Sequence, residues 1–596
     1  MGMSEPKIEG SHLPGCDSAP QIAQRWLDQF AAAIAAIEQQ ALAALFTADV
    51  YWRDILALTW DIRTFSEKVE ASVSMIGFAK HRRPGNFALD TMSLRSLERS
   101  GLGTSIETVF SFETNIGWCQ GHARLVEMPK GSGHWAAWTV FTALKDLKGH
   151  EEKVGNNRPN FVESSFDPAK KWMTADEHAS HYETHDPDTV IIGGAQTGLA
   201  LAARLGALNV PALVIDKEPR IGDVWRNRYA SLVLHNQVWA NHLPHLPFPA
   251  SWPVYITKDQ LAEWLEIYTR ALSIATWTST TLEASVYDQT IKRWKLTLRR
   301  GDGSTSIVRP RNVVLATGVF GGARKISLPG AETYSGQILY AAEFTGNLDV
   351  DGKKVLVVGS GASAHDVSQE LNSAGASVTM LQRGSTCIIS LDPGTALAYS
   401  TYNENAGPVE NVDLLSDSIP HPVLVNLHKE MTKKVIELDK ELIAGLNHAG
   451  FATNNGEDES GFLTNFHRRG GGYYINVGTS DLIVNGQIKV KHGTTVAGFD
   501  ARSVNFADGT ASEYDVVVIA AGYENMQESV RTIMGETIAE KVGPIWGMDE
   551  HSELRAMWKR TGQEGFWIAG GSLRQNRSFS KYLALQIKGR ELGFIS

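Results

Sequence analysis

Behind Ser18 and Pro20, the apolar residues Ile22, Trp26, Phe30, Ile34 and Ile37 recur three or four positions apart, which predicts a helix with one buried face. Three strand-like runs follow, "TSIETVFSFET", "GHARLVEM" and "WAAWTVFTAL", with turns such as "PKGSGH" between them. A helix packed into a curved antiparallel sheet makes a small α+β cone, assigned to residues 1–150. The pattern then dissolves into "LKGHEEKVGNNRPN" and "HYETHDPDT", polar and broken by Gly, Asn and Pro, so 151–186 reads as a linker. Beyond it come short, continuous apolar runs that end on glycines. Two are complete strand–turn–helix–strand units, "TVIIGGAQTGLALAARLGALNVPALVIDK" and "KVLVVGSGASAHDVSQELNSAGASVTMLQR". Two more segments, "RRGDGSTSIVRPRNVVLATG" and "VNFADGTASEYDVVVIAAG", each carry an Asp-Gly turn and then a buried strand ending in small residues. The predicted class is α/β, with two Rossmann-like dinucleotide-binding domains preceded by the cone. The expected boundaries are 187–345 and 496–596 for the first nucleotide domain and 346–495 for the second.

Each glycine in such a turn has a separate duty. The first permits the tight turn, the second lets backbone approach a pyrophosphate, and the third lets helix pack closely on strand. The helix N-terminus then offers free amides to the phosphates. In the first unit Gly193, Gly194 and Gly198 are present, but Ala195 takes the middle slot. In the second, Gly359 and Gly361 keep the spacing and Ser363 follows in the helix. The strand after the first turn leads to Asp216, whose carboxylate can accept hydrogen bonds from a ribose diol. The corresponding place in the second unit is Gln382, followed by Arg383, and a guanidinium there pairs with a ribose 2′-phosphate. The first site therefore fits FAD and the second NADPH.

Composition narrows the picture. A formal net charge of −10 and the lack of a basic run argue against a nucleic-acid partner. The start "MGMSEPKIEG" has no signal-peptide pattern, and Pro6 occupies the Ser/Thr slot of a myristoylation motif. No apolar run is long enough to span a membrane. Cys16, Cys119 and Cys387 are too scattered for a disulfide framework, so a reducing, cytoplasmic setting is expected. The spacing His178, His181, His185 would suit a metal on one helix face, but no further ligand accompanies it, so no metal is expected.

From about residue 186 onward the chain resembles the flavin-containing monooxygenases, including the plant indole-pyruvate branch. Gly222, Asp223 and Trp225 in "IGDVW" match a Gly-Gly-x-Trp stretch, and "LHNQVWANHLPHLPFPASWPVY" matches the region leading to a Phe-Pro motif. Gly318 and Gly522 end the two small-residue strands, "AAGYEN" matches a late Thr-Gly-Tyr motif, and "GFWIAGGSLRQNRSFSKYLALQIK" resembles the helix that closes the FAD domain. The resemblance implies FAD and NADPH as cofactors, molecular oxygen and a small organic molecule as substrates, and oxygen transfer through a flavin hydroperoxide. It also marks departures. Tyr340 stands in the histidine slot of the family's Phe-x-Gly-x-x-x-His run, and Phe344 replaces the tryptophan of the Baeyer–Villiger version. His235, with Asn236 beside it, falls where amine-oxidising members carry asparagine and the indole-pyruvate branch carries histidine. His235, Asn236 and Tyr340 are the catalytic candidates, with a hydrogen-bonded structural role for His235 an equal alternative.

The segment "ALFTADVYWRDILALTWDIRTF" resembles the SnoaL-like, nuclear-transport-factor-like cone domains. Some members place a catalytic acid where Asp54 stands; a structural carboxylate is the favoured reading. Cone domains often pair, so a homodimer is an expectation. Two alternatives stay open: an NADPH oxidase or reductase without oxygen transfer, and a flavin-binding scaffold whose cone carries the function.

Overall fold

A computed structural model describes residues 18–99, 103–159 and 173–595. Cys16, the N-terminal Met-Gly motif and the middle of the linker, 160–172, lie outside the described residues. The chain divides into two compact units. One runs to His150 and is completed by Leu415–Pro420; the other comprises Glu151–Leu414 and His421–Ser596.

In the first unit, helix α1 (Ala19–Ala35) starts at Ser18, whose amide donates to Gln21 Oε1 at 2.8 Å. Its apolar stripe buries Trp26, Phe30 and Ile34 as the periodicity predicts. Ile37 departs from it: the residue lies beyond the helix in a left-handed conformation (φ 59°) and is exposed. Six strands form one sheet in the order β2-β1-β6-β5-β4-β3, where β1 is Phe46–Ile55, β2 Ile62–Ser66, β3 Gly85–Arg99, β4 Gly103–Glu113, β5 Gly117–Glu127 and β6 Trp135–Leu147. Only the β1–β6 pairing is parallel; the rest are antiparallel. The segment 415–420 is bound in this unit by Arg124, whose Nη2 donates to Ser418 Oγ at 2.9 Å.

Asp54 is fully buried on β1 and accepts hydrogen bonds from Thr142 Oγ1 (2.5 Å), Thr59 Oγ1 (2.7 Å) and the amides of Leu58 and Thr59. These bonds fold the turn after β1 back onto the sheet, a structural duty. Burial outweighs them and pushes the carboxyl up to about 6. A raised carboxyl favours the folded state at low pH, and that advantage is lost as pH rises through the folded value. We expect about 3 kcal/mol of pH-dependent stability between pH 4 and 6 from this group. Asp54→Asn should flatten that slope in thermal melts followed by circular dichroism.

The second unit carries two parallel five-stranded sheets. The first has the order Phe566–Ile568, Asn312–Leu315, Thr189–Ile192, Ala212–Ile215, Thr276–Trp277. The second has the order Gln337–Tyr340, Val516–Ile519, Lys354–Val358, Ser377–Gln382, Lys489–His492. The strands Thr189–Ile192, Asn312–Leu315 and Val516–Ile519 are buried along their whole length, as strands of a parallel sheet covered on both faces are. Two segments expected in the first nucleotide domain, Gln337–Tyr340 and Val516–Ile519, belong to the second sheet instead. A buried parallel strand reads alike in either sheet; only its hydrogen-bonded neighbour decides membership. A short antiparallel ribbon pairs Phe320–Ala323 with Tyr523–Asn525. The stretch 385–475 is largely helical, with helices at Val409–Asp417, His421–Leu438, Lys440–His448 and Gly461–Arg469.

Candidate active site

The first glycine turn opens the helix Gln196–Ala207, and the strand of the second turn leads to the helix Ala362–Ser373. Gly193 has φ +115°, and a Cβ there would lie 2.5 Å from Ala316 O; Gly359 has φ +131°, and its Cβ would lie 2.4 Å from Ala520 O. Both therefore need glycine for the turn and for the neighbouring strand at once. The third slots differ. A Cβ on Gly198 would lie 2.0 Å from Gly193 O, whereas the second unit accommodates Ala364, buried at 1% exposure.

The middle slots explain the displaced glycine. Ala195 (φ −86°, ψ −171°) and Gly361 (φ −88°, ψ −173°) share one backbone conformation, open to any residue. A Cβ on Gly361 would meet nothing within 4 Å, so the equivalent methyl of Ala195 costs the fold nothing. Ala195 lines the cavity beside it. Ala195→Gly should leave stability unchanged and tighten FAD by no more than a few-fold, measured by titrating apoprotein with FAD and following flavin fluorescence.

That cavity, of about 690 Å³, is lined by Gly193, Asp216, Trp225, Gly318 and the helix-terminal Gly571, among others. Asp216 Oδ2 accepts the Gly194 amide at 2.5 Å and its Oδ1 the Glu218 amide at 2.8 Å, which fixes the carboxylate at the cavity edge. Trp225 Nε1 donates to Gln196 Oε1 at 3.0 Å, tying the Gly-Asp-Val-Trp stretch to the first turn. Gly222 acts at one remove: φ is +90°, and a Cβ would lie 2.5 Å from Ala262 O, so it seats the Trp225 turn on a neighbouring helix. Helix-start amides, a glycine cradle and a fixed carboxylate at the cavity edge fit the adenosine diphosphate part of FAD.

A second cavity, of about 560 Å³, is lined by Gly361, Ser363 and Gly522, with Tyr523, Trp546, Arg324, Arg468 and Arg469. Arg468 Nη1 pairs with Glu457 (2.9 Å) and Asp458 (2.7 Å), and Arg469 pairs with Glu457, so an acidic turn holds both guanidiniums at the wall. The residues fit a second dinucleotide. Gln382 does not face a ribose: it is fully buried, donating to Ala452 O (2.9 Å) and accepting from Ala452 N (2.7 Å). Arg383 is exposed at the strand end, outside the cavity lining.

The three catalytic candidates are not gathered at either cavity wall. Tyr340 ends a strand of the second sheet, and its ring lies 3.8 Å from Lys325 Nζ. Asn236 hydrogen-bonds the Tyr399 phenol, and its carbonyl accepts from Asn241 Nδ2 at 2.9 Å. His235 is half-buried, and burial holds its imidazole below the usual range, opposed by the charge of Asp366. Asp366 in turn accepts from the Tyr229 hydroxyl, so Asp366 and Tyr229 form a hydrogen-bonded pair beside His235 that spacing did not reveal. The aromatic pair Phe320 and Tyr523, and the arginines at 468 and 469, were equally hidden, because they come from separate segments joined only in the fold. Among the described residues Cys119 and Cys387 are free and buried, and no cluster of His, Cys, Asp or Glu could hold a metal.

Residues 190–414 match the family model "Pyridine nucleotide-disulphide oxidoreductase". Indole-3-pyruvate monooxygenase YUCCA1 of Oryza sativa subsp. japonica is 30% identical over 344 residues, spanning 58% of this chain and 78% of the relative. The chain belongs to the flavin monooxygenase family. A probable indole-3-pyruvate monooxygenase of Arabidopsis thaliana, YUCCA10, is 26% identical over 56% of this chain and 81% of its own length. A solved flavin-containing monooxygenase from Stenotrophomonas maltophilia is 16% identical, with TM-score 0.47 over 68% of this chain and 99% of that one. As a flavin monooxygenase, the protein is an NADPH- and oxygen-dependent flavoprotein with FAD and NADPH as its cofactors. The dithiol chemistry in the matched model's description needs a redox cysteine pair, which this sequence lacks.

Proposed function

We propose that this flavin monooxygenase inserts one atom of dioxygen into a small, lipophilic organic molecule. FAD, when bound, takes up the reducing equivalents of NADPH and activates oxygen; the chain binds, orients and excludes water. The observation that carries this reading is the pair of dinucleotide cavities with a common wall at Val319 and Phe320. Gly193, Ala195, Asp216 and Trp225 would hold FAD, with Gly194 bracing Asp216 and Gly198 seating the helix on its strand; Gly361 and Ser363 would hold the NADPH diphosphate, with Gly359 making the turn. Indole-3-pyruvate, named in the rice relative, is the first substrate to assay. The test compares NADPH consumed with peroxide released and with oxygenated product. Product in proportion to NADPH supports the proposal. Peroxide equal to NADPH with every substrate would make the protein an NADPH oxidase.

Arg383 is proposed to meet the 2′-phosphate at the strand end. Arg383→Ala should raise the KM for NADPH about tenfold and leave that for NADH unchanged, read from steady-state kinetics. His235, beside the hydrogen-bonded pair Asp366 and Tyr229, is proposed as a structural support for the flavin-domain loop rather than a proton donor. The N-terminal unit is proposed to pair with that of a second copy, a state that light scattering reports directly. No helix among the described residues is long and apolar enough to cross a membrane; we place the protein in the cytoplasm, which fractionation tests.

A further inference from the structure

We infer that Phe320 is the positioning residue at which the nicotinamide and flavin rings meet, a side chain that parts the two cavities and bears on the bound nicotinamide. The inference rests on the assignment of the two cavities to FAD and NADPH. Among the described residues, Val319 and Phe320 line both. Val319 is packed at its base, where a Cβ on Gly570 would lie 2.9 Å from Val319 Cγ1. Phe320 is different: the residue is 39% exposed and lines both cavities. An exposed aromatic face between two nucleotide cavities is available for a ligand ring.

The surroundings fix where that ring stands. Tyr523, across the ribbon, stacks on it with centroids 5.3 Å apart and planes inclined by 22°. Gly470, in the left-handed region at φ +71°, closes the helix Gly461–Arg469, and a Cβ on it would lie 2.6 Å from Phe320 Cε1. The missing side chain is thus the slot that the ring occupies. The ribbon beneath is anchored, because Asn525, opposite Phe320, donates to Ile545 O (2.7 Å) and accepts from Ile545 N (3.1 Å).

Hydride transfer requires donor and acceptor atoms at contact distance, about 3–3.5 Å. The two nucleotide rings must therefore approach across the common wall, and Phe320 is its aromatic member. Offset pairing with Phe320, backed by Tyr523, would hold the nicotinamide ring in register and close the passage to water.

The test uses the FAD-loaded full-length protein and NADP⁺ titrated by calorimetry, with peroxide per NADPH as a second readout. Phe320→Ala and Phe320→Leu are compared with the unaltered protein at equal flavin occupancy. Both should weaken NADP⁺ about fivefold and raise the peroxide fraction, Leu included although it restores most of the volume. Phe320→Tyr should restore both values. Unchanged NADP⁺ affinity and peroxide fraction in the Ala and Leu variants overturn the inference while leaving the cavities assigned. An FAD-loaded unaltered protein that binds no NADP⁺ overturns the assignment and the inference with it.

Discussion

Gly198→Ala should purify free of FAD. A methyl at that position would sit 2.0 Å from the Gly193 carbonyl oxygen and 3.1 Å from Ile191 Cγ2. The carbonyl is backbone of the turn itself, so the clash is relieved only by lifting the helix Gln196–Ala207 off its strand. The amides at the start of that helix then leave the cradle that would receive the pyrophosphate. We expect at least a hundredfold loss of FAD affinity, read as flavin absorbance per protein and by FAD titration of the apoprotein. NADP⁺ binding should persist, because the second turn is built on other glycines and already accommodates Ala364 in its third slot. Full flavin content in this variant would place the FAD pyrophosphate elsewhere.

Arg577 should be the costliest single side chain to remove from the second unit. It is 1% exposed, and its guanidinium meets Asp413 with two bonds, Nε to Oδ2 at 2.7 Å and Nη2 to Oδ1 at 2.8 Å. Its Nη1 also donates to the carbonyls of Ala240 (2.9 Å) and His242 (2.7 Å), and Tyr402 donates to Asp413 Oδ1 at 2.9 Å. One ion pair thus joins the C-terminal helix, the loop ahead of the Phe-Pro motif and the helix Val409–Asp417. Arg577→Leu leaves Asp413 buried without its counter-charge and should cost about 3–5 kcal/mol, measured by urea unfolding. Asp413→Leu should cost a similar amount. The double variant should recover part of the loss, since two apolar side chains leave no charge stranded. Additive losses would show that the pair does not act as a unit.

Local chemistry was legible wherever the chain makes it alone. The turns at Gly193 and Gly359, the helix after Ser18 and the carboxylate of Asp216 all follow from steric and hydrogen-bonding demands within a few residues. Ala195 belongs to the same class, yet its effect is set by the backbone angles of the middle slot. They show that the middle slot asks for space toward a ligand and not for an unusual conformation.

Longer-range assignments fared differently. Tyr340 was placed by the spacing of the family's Phe-x-Gly-x-x-x-His run, but at the end of its strand its ring meets Lys325, a residue from another segment. Gln382 turned inward because Ala452, from a distant segment, offers both a donor and an acceptor.

The sequence by itself determined that two dinucleotide units exist, which of them carries an acid at the end of its second strand, and that no cysteine pair supplies redox chemistry. Those properties reside in contiguous residues, where backbone sterics and side-chain charge act over a turn or two. Only the tertiary structure decided which sheet holds Gln337–Tyr340 and Val516–Ile519, that Asp413 meets Arg577, and that Phe320 stands in both cavity walls. The physical reason is that strand pairing and burial are choices among many distant partners. Apolar strands and lone charged residues carry no local mark of the partner they will find.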